Sequence, residues 1–215
     1  MGSSLYKSTE YPINTTNETK IKIMKAVIVA FDKFTDVDIF LPWDLLNRVK
    51  FQDKEFQVKI VGTEASHKSV CGIDLATHGR IEECNNADLV FFGSGPGTRN
   101  VIKDPSYLER FHLNPSKQII CSMCSGALII AALGHLDGLS ATTYPTAFEA
   151  LRSYGVEVLE DTHLVTHGNI ATAAGCLAAV DLIGWAIEKM YNQKVREDVI
   201  ASVMPVGQGQ VCIYP

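Results

Sequence analysis

Positions 1 to about 22 are polar and aperiodic, and the pattern changes at Lys25. Ala26-Val27-Ile28-Val29-Ala30-Phe31 is a short, continuous apolar run, which marks a strand covered on both faces. Phe56–Val61, Leu89-Val90-Phe91-Phe92 and Gln118-Ile119-Ile120-Cys121 read the same way. Helical stretches are expected at 36–50, 104–113, 125–135, 145–154 (ended by Gly155), 175–191 and 193–203. Short strands at 140–143, 163–166 and 170–173 fill the gaps, and residues 70–81 suggest a hairpin or side excursion. Short buried strands alternating with helices imply an α/β fold with a doubly wound, mostly parallel sheet. No repeat, linker or change of composition divides residues 23–215, which read as one domain behind a flexible tail at 1–22.

Composition narrows the class. Of 215 residues, 47% are apolar and 20% charged, the balance of an ordinary globular domain. A net charge of -5 gives no basic surface for nucleic acid or anionic membrane. The apolar run Ala127–Leu133 is too short to cross a bilayer, and the N-terminus lacks the apolar core of a signal peptide. Tyr6 stands where a myristoylation motif needs Ser or Thr. Six irregularly spaced cysteines argue against a disulfide scaffold, so the expectation is reduced thiols in a cytoplasmic protein.

One of those cysteines is set apart by its neighbours. In Ile119-Ile120-Cys121-Ser122-Met123-Cys124-Ser125-Gly126-Ala127 a buried strand stops and a helix begins with almost no loop. The order small–x–Cys–x–Gly fits a nucleophile elbow, with Ser122 and Gly126 as the small flanks of Cys124. Such a turn lifts the cysteine to the carboxyl edge of the sheet, where open α/β folds bind ligands. A helix N-terminus there is expected to favour the thiolate. Cys121 and Cys124 also form a C-x-x-C pair, but Cys121 reads as strand interior, pointing away from the elbow. No second cysteine pair supports zinc, and His163 and His167, if on one strand, would stand about 13 Å apart.

Two further segments end at the same edge. Gly93-Ser94-Gly95-Pro96-Gly97 follows a buried strand and can offer backbone N–H groups to a substrate, Gly95 as the second oxyanion donor beside the free N–H of Ser125 at the elbow. Thr98 breaks the G-x-G-x-x-G spacing of a dinucleotide site. Asp38 follows the first strand, and Thr35 with Asp38 fits a capping box, so spacing alone favours a helix cap.

From Lys25 to about Asn192 the segments resemble the ThiJ/PfpI, class I glutamine-amidotransferase-like superfamily, whose fold is flavodoxin-like. Within it the chain is similar to the isonitrile hydratases. The resemblance is carried by Asp38-Ile39-Phe40-Leu41-Pro42-Trp43-Asp44, Asp88 through Pro105, Cys124-Ser125-Gly126-Ala127, Ala141-Thr142-Thr143 and Gly175 through Asp181. It implies a nucleophile at Cys124, an acid at Asp38 and a positioning hydroxyl at Ser125, where that family typically has threonine. Protease-like relatives usually carry a histidine directly after the cysteine, glyoxalase-like ones a glutamate at the place of Asp38. Regulator-like relatives often have histidine at the place of Tyr144 and a DNA-binding domain, for which the C-terminal stretch has no room. The resemblance therefore implies hydration of an isonitrile to an N-substituted formamide through a thioimidate, with no cofactor or metal, a small-molecule substrate and a homodimer. The competing classes are a non-enzymatic cysteine oxidation sensor or stress-response protein, and a cysteine hydrolase using His135, His163 or His167.

Overall fold

The computed structural model describes residues 23–206, so the expected tail at 1–22 lies outside the described residues. Its strands are β1 (Lys25–Val29), β2 (Gln57–Gly62), β3 (Ser66–Lys68), β4 (Asp74–Ala76), β5 (Gly79–Arg80), β6 (Leu89–Phe92), β7 (Ile119–Met123), β8 (Ser140–Ala141), β9 (Glu157–Val158), β10 (Leu164–His167) and β11 (Ile170–Ala173). The helices are α1 (Val37–Asn47), α2 (Thr98–Val101), α3 (Pro105–Leu108), α4 (Ala127–Ala132), α5 (Phe148–Arg152), α6 (Ala179–Met190) and α7 (Gln193–Ala201). Short 3-10 turns lead into α4, α5 and α6.

Seven strands form the main sheet in the order β10-β11-β7-β6-β1-β2-β5. Every pairing is parallel except β10 with β11. This is the flavodoxin-like, mostly parallel α/β fold that the alternation of strands and helices implied. Burial follows the sequence pattern across the sheet. β6 and β7 are buried at every position, β1 at all but its first, while the edge strand β10 alternates. Central strands are covered on both faces and must be apolar throughout, whereas an edge strand keeps one side for water. Helices α1, α6 and α7 pack together as one layer, and α2, α4 and α5 as the other. The loosely alternating segment at 70–81 holds β4 and β5: β4 pairs back on β3, which starts before the expected range, and β5 joins the sheet edge beside β2.

Three elements differ from the expected ones. The helix expected at 104–113 is only α3, preceded by α2. Beyond it Asn85 supplies the hydrogen bonds a longer helix would have made: its Oδ1 accepts from His112 N at 2.7 Å and its Nδ2 donates to the Arg110 carbonyl at 2.9 Å. Strand β7 runs two residues further than expected, to Met123, which brings it directly against Cys124. The short pair β8–β9 forms a small separate sheet, and β9 carries too little pattern to be read from two residues.

The chain runs outward from β1 to β2, then crosses back to β6 on the other side of β1. At such a reversal the loops leaving the strands part and open a crevice at the carboxyl edge. The segments after β1, β6 and β7 all end there, and they carry Asp38, Ser94-Gly95 and Cys124. Among the described residues no helix is long and apolar enough to cross a membrane.

Candidate active site

Cys124 sits at the turn between β7 and the 3-10 turn Cys124–Gly126, with a backbone φ of +47°. A non-glycine residue in that region is strained by about 1–3 kcal/mol, and persists only where its surroundings hold it. Two contacts do so. The Thr143 hydroxyl donates to the Cys124 carbonyl at 2.7 Å. Gly126 packs so tightly that a Cβ there would meet the carbonyl oxygens of Phe92 at 2.5 Å and Gly93 at 2.6 Å. The sequence requirement for a small residue two places after the cysteine therefore has a concrete cause: the new helix starts against the backbone that leaves β6.

Asp38 is the second residue of α1 and fully buried. Asp36 occupies the cap position of that helix without a side-chain capping bond, and the Asp38 side chain is spent elsewhere. Its Oδ2 accepts a hydrogen bond from the Ser94 hydroxyl. Among the described residues no nitrogen or oxygen donor reaches its buried Oδ1. What lies within reach are thiols: a carboxylate oxygen of Asp38 and the sulfurs of Cys124 and Cys176 all fall within 4.8 Å of one another. The capping box expected of Thr35 and Asp38 is therefore not formed, and the Asp38 side chain bonds Ser94 instead. Pro42 reinforces the local geometry, because it lacks the N–H that would close a helical turn on the Asp38 carbonyl.

The glycine-rich loop supplies the opposite wall. Gly95 adopts a φ of +149°, and a Cβ on it would lie 2.2 Å from the Lys33 carbonyl oxygen, so only glycine fits. Its N–H points at Ser125 Oγ at 3.3 Å, and Thr98 Oγ1 lies 3.2 Å from the same hydroxyl. Ser125 is therefore tied to Gly95 and Thr98, while the hydroxyl that holds Asp38 belongs to Ser94. The sequence reading gave Ser125 as a positioning hydroxyl and did not single out Ser94, which lies inside the glycine loop. Cys176 was missed as well. It follows Gly175 on the loop after β11, which is far from the elbow in sequence, and only folding brings them together.

These groups line a cavity of about 320 Å³, bounded by Thr35, Ser94, Gly95, Cys124, Tyr144 and Cys176, with Arg99 at its rim. No histidine lines it. Of the histidines that a hydrolase would need, His163 bonds Asp181 at 3.0 Å and His167 bonds Ser140 at 3.1 Å. A larger surface cleft of about 790 Å³ lies between His163, Trp185 and Arg196, away from the cysteine.

The electrostatics correct one expectation. Burial pushes the Cys124 thiol well above its ordinary range, and the charge of Asp38 pushes it further, while the Gly175 backbone N–H works the other way. Burial and the neighbouring Asp38 thus favour the protonated form of the Cys124 sulfur. Cys176 is pushed up to about 11 by burial and by Asp38, with a hydrogen bond from Cys124 partly offsetting them. Cys121 lies within β7 and is raised by burial alone, so the thiol that faces Cys124 is Cys176. One carboxylate and two thiols are donor types that suit a borderline or soft cation, but they are three where a closed structural zinc site uses four.

A buried acid facing an elbow cysteine across the carboxyl edge of a flavodoxin-like sheet invites comparison with known proteins. The sequence profile of the DJ-1/PfpI family matches residues 24–189. The chain belongs to the DJ-1/PfpI family. An isonitrile hydratase of Pseudomonas putida is 26% identical to it over 153 residues, 70% of this chain and 65% of that protein's own length. The chain therefore spans just under two thirds of that relative. Among solved structures, a THiJ/PfpI family protein from Pseudomonas syringae superposes with a TM-score of 0.76 at 20% identity, covering 91% of this chain and 83% of the other. Schizosaccharomyces pombe DJ-1 superposes with a TM-score of 0.71 at 18% identity, covering 85% of this chain and all of its own. At such identities the structural likeness speaks for the shared DJ-1/PfpI fold.

Proposed function

We propose that this protein hydrates an isonitrile to an N-substituted formamide, with Cys124 as nucleophile and Asp38 as the group that moves the proton. The observation that carries the reading is the elbow cysteine Cys124, lining a cavity without histidine, with the buried side chain of Asp38 within 4.8 Å of its sulfur. The terminal carbon of an isonitrile must receive both a nucleophile and a proton. A thiol held beside a carboxylate carries both. As Sγ forms its bond to carbon, its proton passes to Asp38 and from there to the same carbon, giving an N-substituted thioimidate with no net change of charge. Asp38 is ready for this role because its second oxygen is anchored by Ser94 and its first has no competing donor.

Water then adds to the thioimidate carbon, giving a tetrahedral adduct that carries sulfur, hydroxyl and nitrogen. Collapse breaks the C–S bond, returns the proton to the sulfur and releases the formamide. Ser125, fixed by Gly95 and Thr98 on the cavity wall, is positioned to orient that water. In this structure the Gly95 N–H faces Ser125 Oγ, so its part in binding developing negative charge runs through that hydroxyl. The small cavity suits a compact alkyl or aryl isonitrile, and the relationship to a Pseudomonas putida isonitrile hydratase supports the same reaction class.

The test is direct. Purified protein mixed with a simple isonitrile should produce the corresponding formamide, and Cys124→Ala should produce none. Full turnover in Cys124→Ala, or no formamide from the parent protein across neutral pH, would overturn the proposal.

A further inference from the structure

The cavity contains a thiol that hydration does not use. Cys176 opens the 3-10 turn Cys176–Ala178 and lines the same cavity as Cys124, half-buried where Cys124 is only 5% exposed. Its sulfur, the Cys124 sulfur and an Asp38 oxygen are mutually within 4.8 Å. Two thiols at that spacing, lining one cavity and both within reach of the Asp38 side chain, make up the parts of a dithiol redox pair.

We propose that Cys124 and Cys176 are such a pair, converted by a hydroperoxide into a Cys124–Cys176 disulfide that closes the site reversibly. The chemistry balances in two steps. As the sulfur of one thiol attacks the hydroperoxide, its proton passes by way of Asp38 to the leaving oxygen; the O–O bond breaks, the sulfur becomes a sulfenic acid, and the leaving oxygen departs as water or an alcohol. The sulfur is oxidised by two electrons and the peroxide reduced by two. The second thiol then attacks the sulfenic sulfur: the S–S bond forms, the S–O bond breaks, and the thiol's proton leaves with the hydroxide as water. Asp38 is the group placed to take that proton in transit. Either order of attack yields the same bond.

The fold permits the closure from one side. A disulfide needs its sulfurs about 2.05 Å apart, so they must approach by up to about 2.7 Å. The Cys124 elbow is wedged by Gly126 against the β6 backbone and cannot travel. The Cys176 turn can. Gly175 before it holds a φ of +87° with nothing within 4 Å of an added Cβ, and Leu177 after it is 79% exposed. Rotation of the Cys176 side chain together with a small shift of this surface turn covers the distance. In the absence of a nearby second thiol, a sulfenic acid under continued peroxide proceeds to the irreversible sulfinic acid, so Cys176 would protect Cys124 from that fate.

The pairing depends on the two thiols and not on isonitrile chemistry, so its test is independent of the proposed function. The full-length protein would be treated with one equivalent of hydrogen peroxide, capped with N-ethylmaleimide, digested and mapped by mass spectrometry. The expected product is a cross-linked peptide joining Cys124 to Cys176. Free thiols under denaturing conditions should fall from six to four and return on adding dithiothreitol. In Cys176→Ser, peroxide raised to two equivalents or more should instead carry Cys124 to the sulfinic acid, one equivalent for each of the two oxidation steps. Cys124 sulfinic acid in the unmodified protein with Cys176 still open to the maleimide, or a cross-link to any other cysteine, would overturn the proposal. The cross-link in the unmodified protein is read without a variant, so poor folding of Cys176→Ser would not rescue it.

Discussion

Replacing Asp38 with asparagine separates two properties that are usually lost together. The side chain keeps its shape and can still accept from Ser94, but the negative charge beside Cys124 disappears. That charge is one of the causes that hold the Cys124 proton in place, second to burial. A unit charge within 4.8 Å contributes about 3.5 kcal/mol at an effective dielectric of about 20, which is more than a hundredfold in thiolate population. Asparagine retains a carbonyl dipole facing the sulfur and burial is unchanged, so the expected rise in thiolate is about ten- to a hundredfold. Asp38→Asn should therefore speed alkylation of Cys124 by iodoacetamide while formamide production falls below detection. The assay follows carbamidomethylation of the Cys124 peptide at several values between pH 7 and 9, in a Cys176→Ala background so that only one cavity thiol reacts. An alkylation rate equal to or lower than that of the Asp38 protein would refute the reasoning, because the carboxylate would then be activating the thiol and not restraining it.

Two other outcomes follow from the packing and the buried thiols. Gly126→Ala forces a methyl group against two backbone carbonyls, and should destabilise the fold by about 2 kcal/mol or more while abolishing turnover; a urea midpoint equal to the parent's would contradict the tight elbow. Stability should also fall in alkali: Cys84 and Cys121 have an ordinary value of 9.0 that burial raises well beyond, so above pH 9 the unfolded chain releases protons that the native state retains. The stability these thiols confer is complete below pH 9 and each then costs about 1.4 kcal/mol per pH unit, so urea midpoints measured at pH 8 and pH 10 should decline, and equal midpoints would count against their burial.

The apolar runs of β1, β6 and β7 needed no tertiary information to be read. A strand in the middle of a parallel sheet is buried on both faces, so its sequence alone must be apolar throughout. The elbow was legible for a similar reason: a strand that turns into a helix within two residues tolerates only small flanks, and Ser122 and Gly126 record that demand locally. Asp38 stood between two readings because the same spacing serves a helix cap and a buried acid. Its partners decided the matter, and they lie 56 residues away at Ser94 and further still at Cys124. The state of the thiol was likewise beyond the sequence. A helix start argued for a thiolate, but the dielectric around the sulfur and the charge opposite it belong to the folded cavity, and they reverse the sign. Cys176 shows the limit most clearly: nothing in Gly175-Cys176-Leu177 points to the elbow. Strand β11 pairs directly with β7, so its loop emerges beside the turn that β7 feeds. Local sterics are written into neighbouring residues, whereas contacts across strands exist only once the sheet order is set.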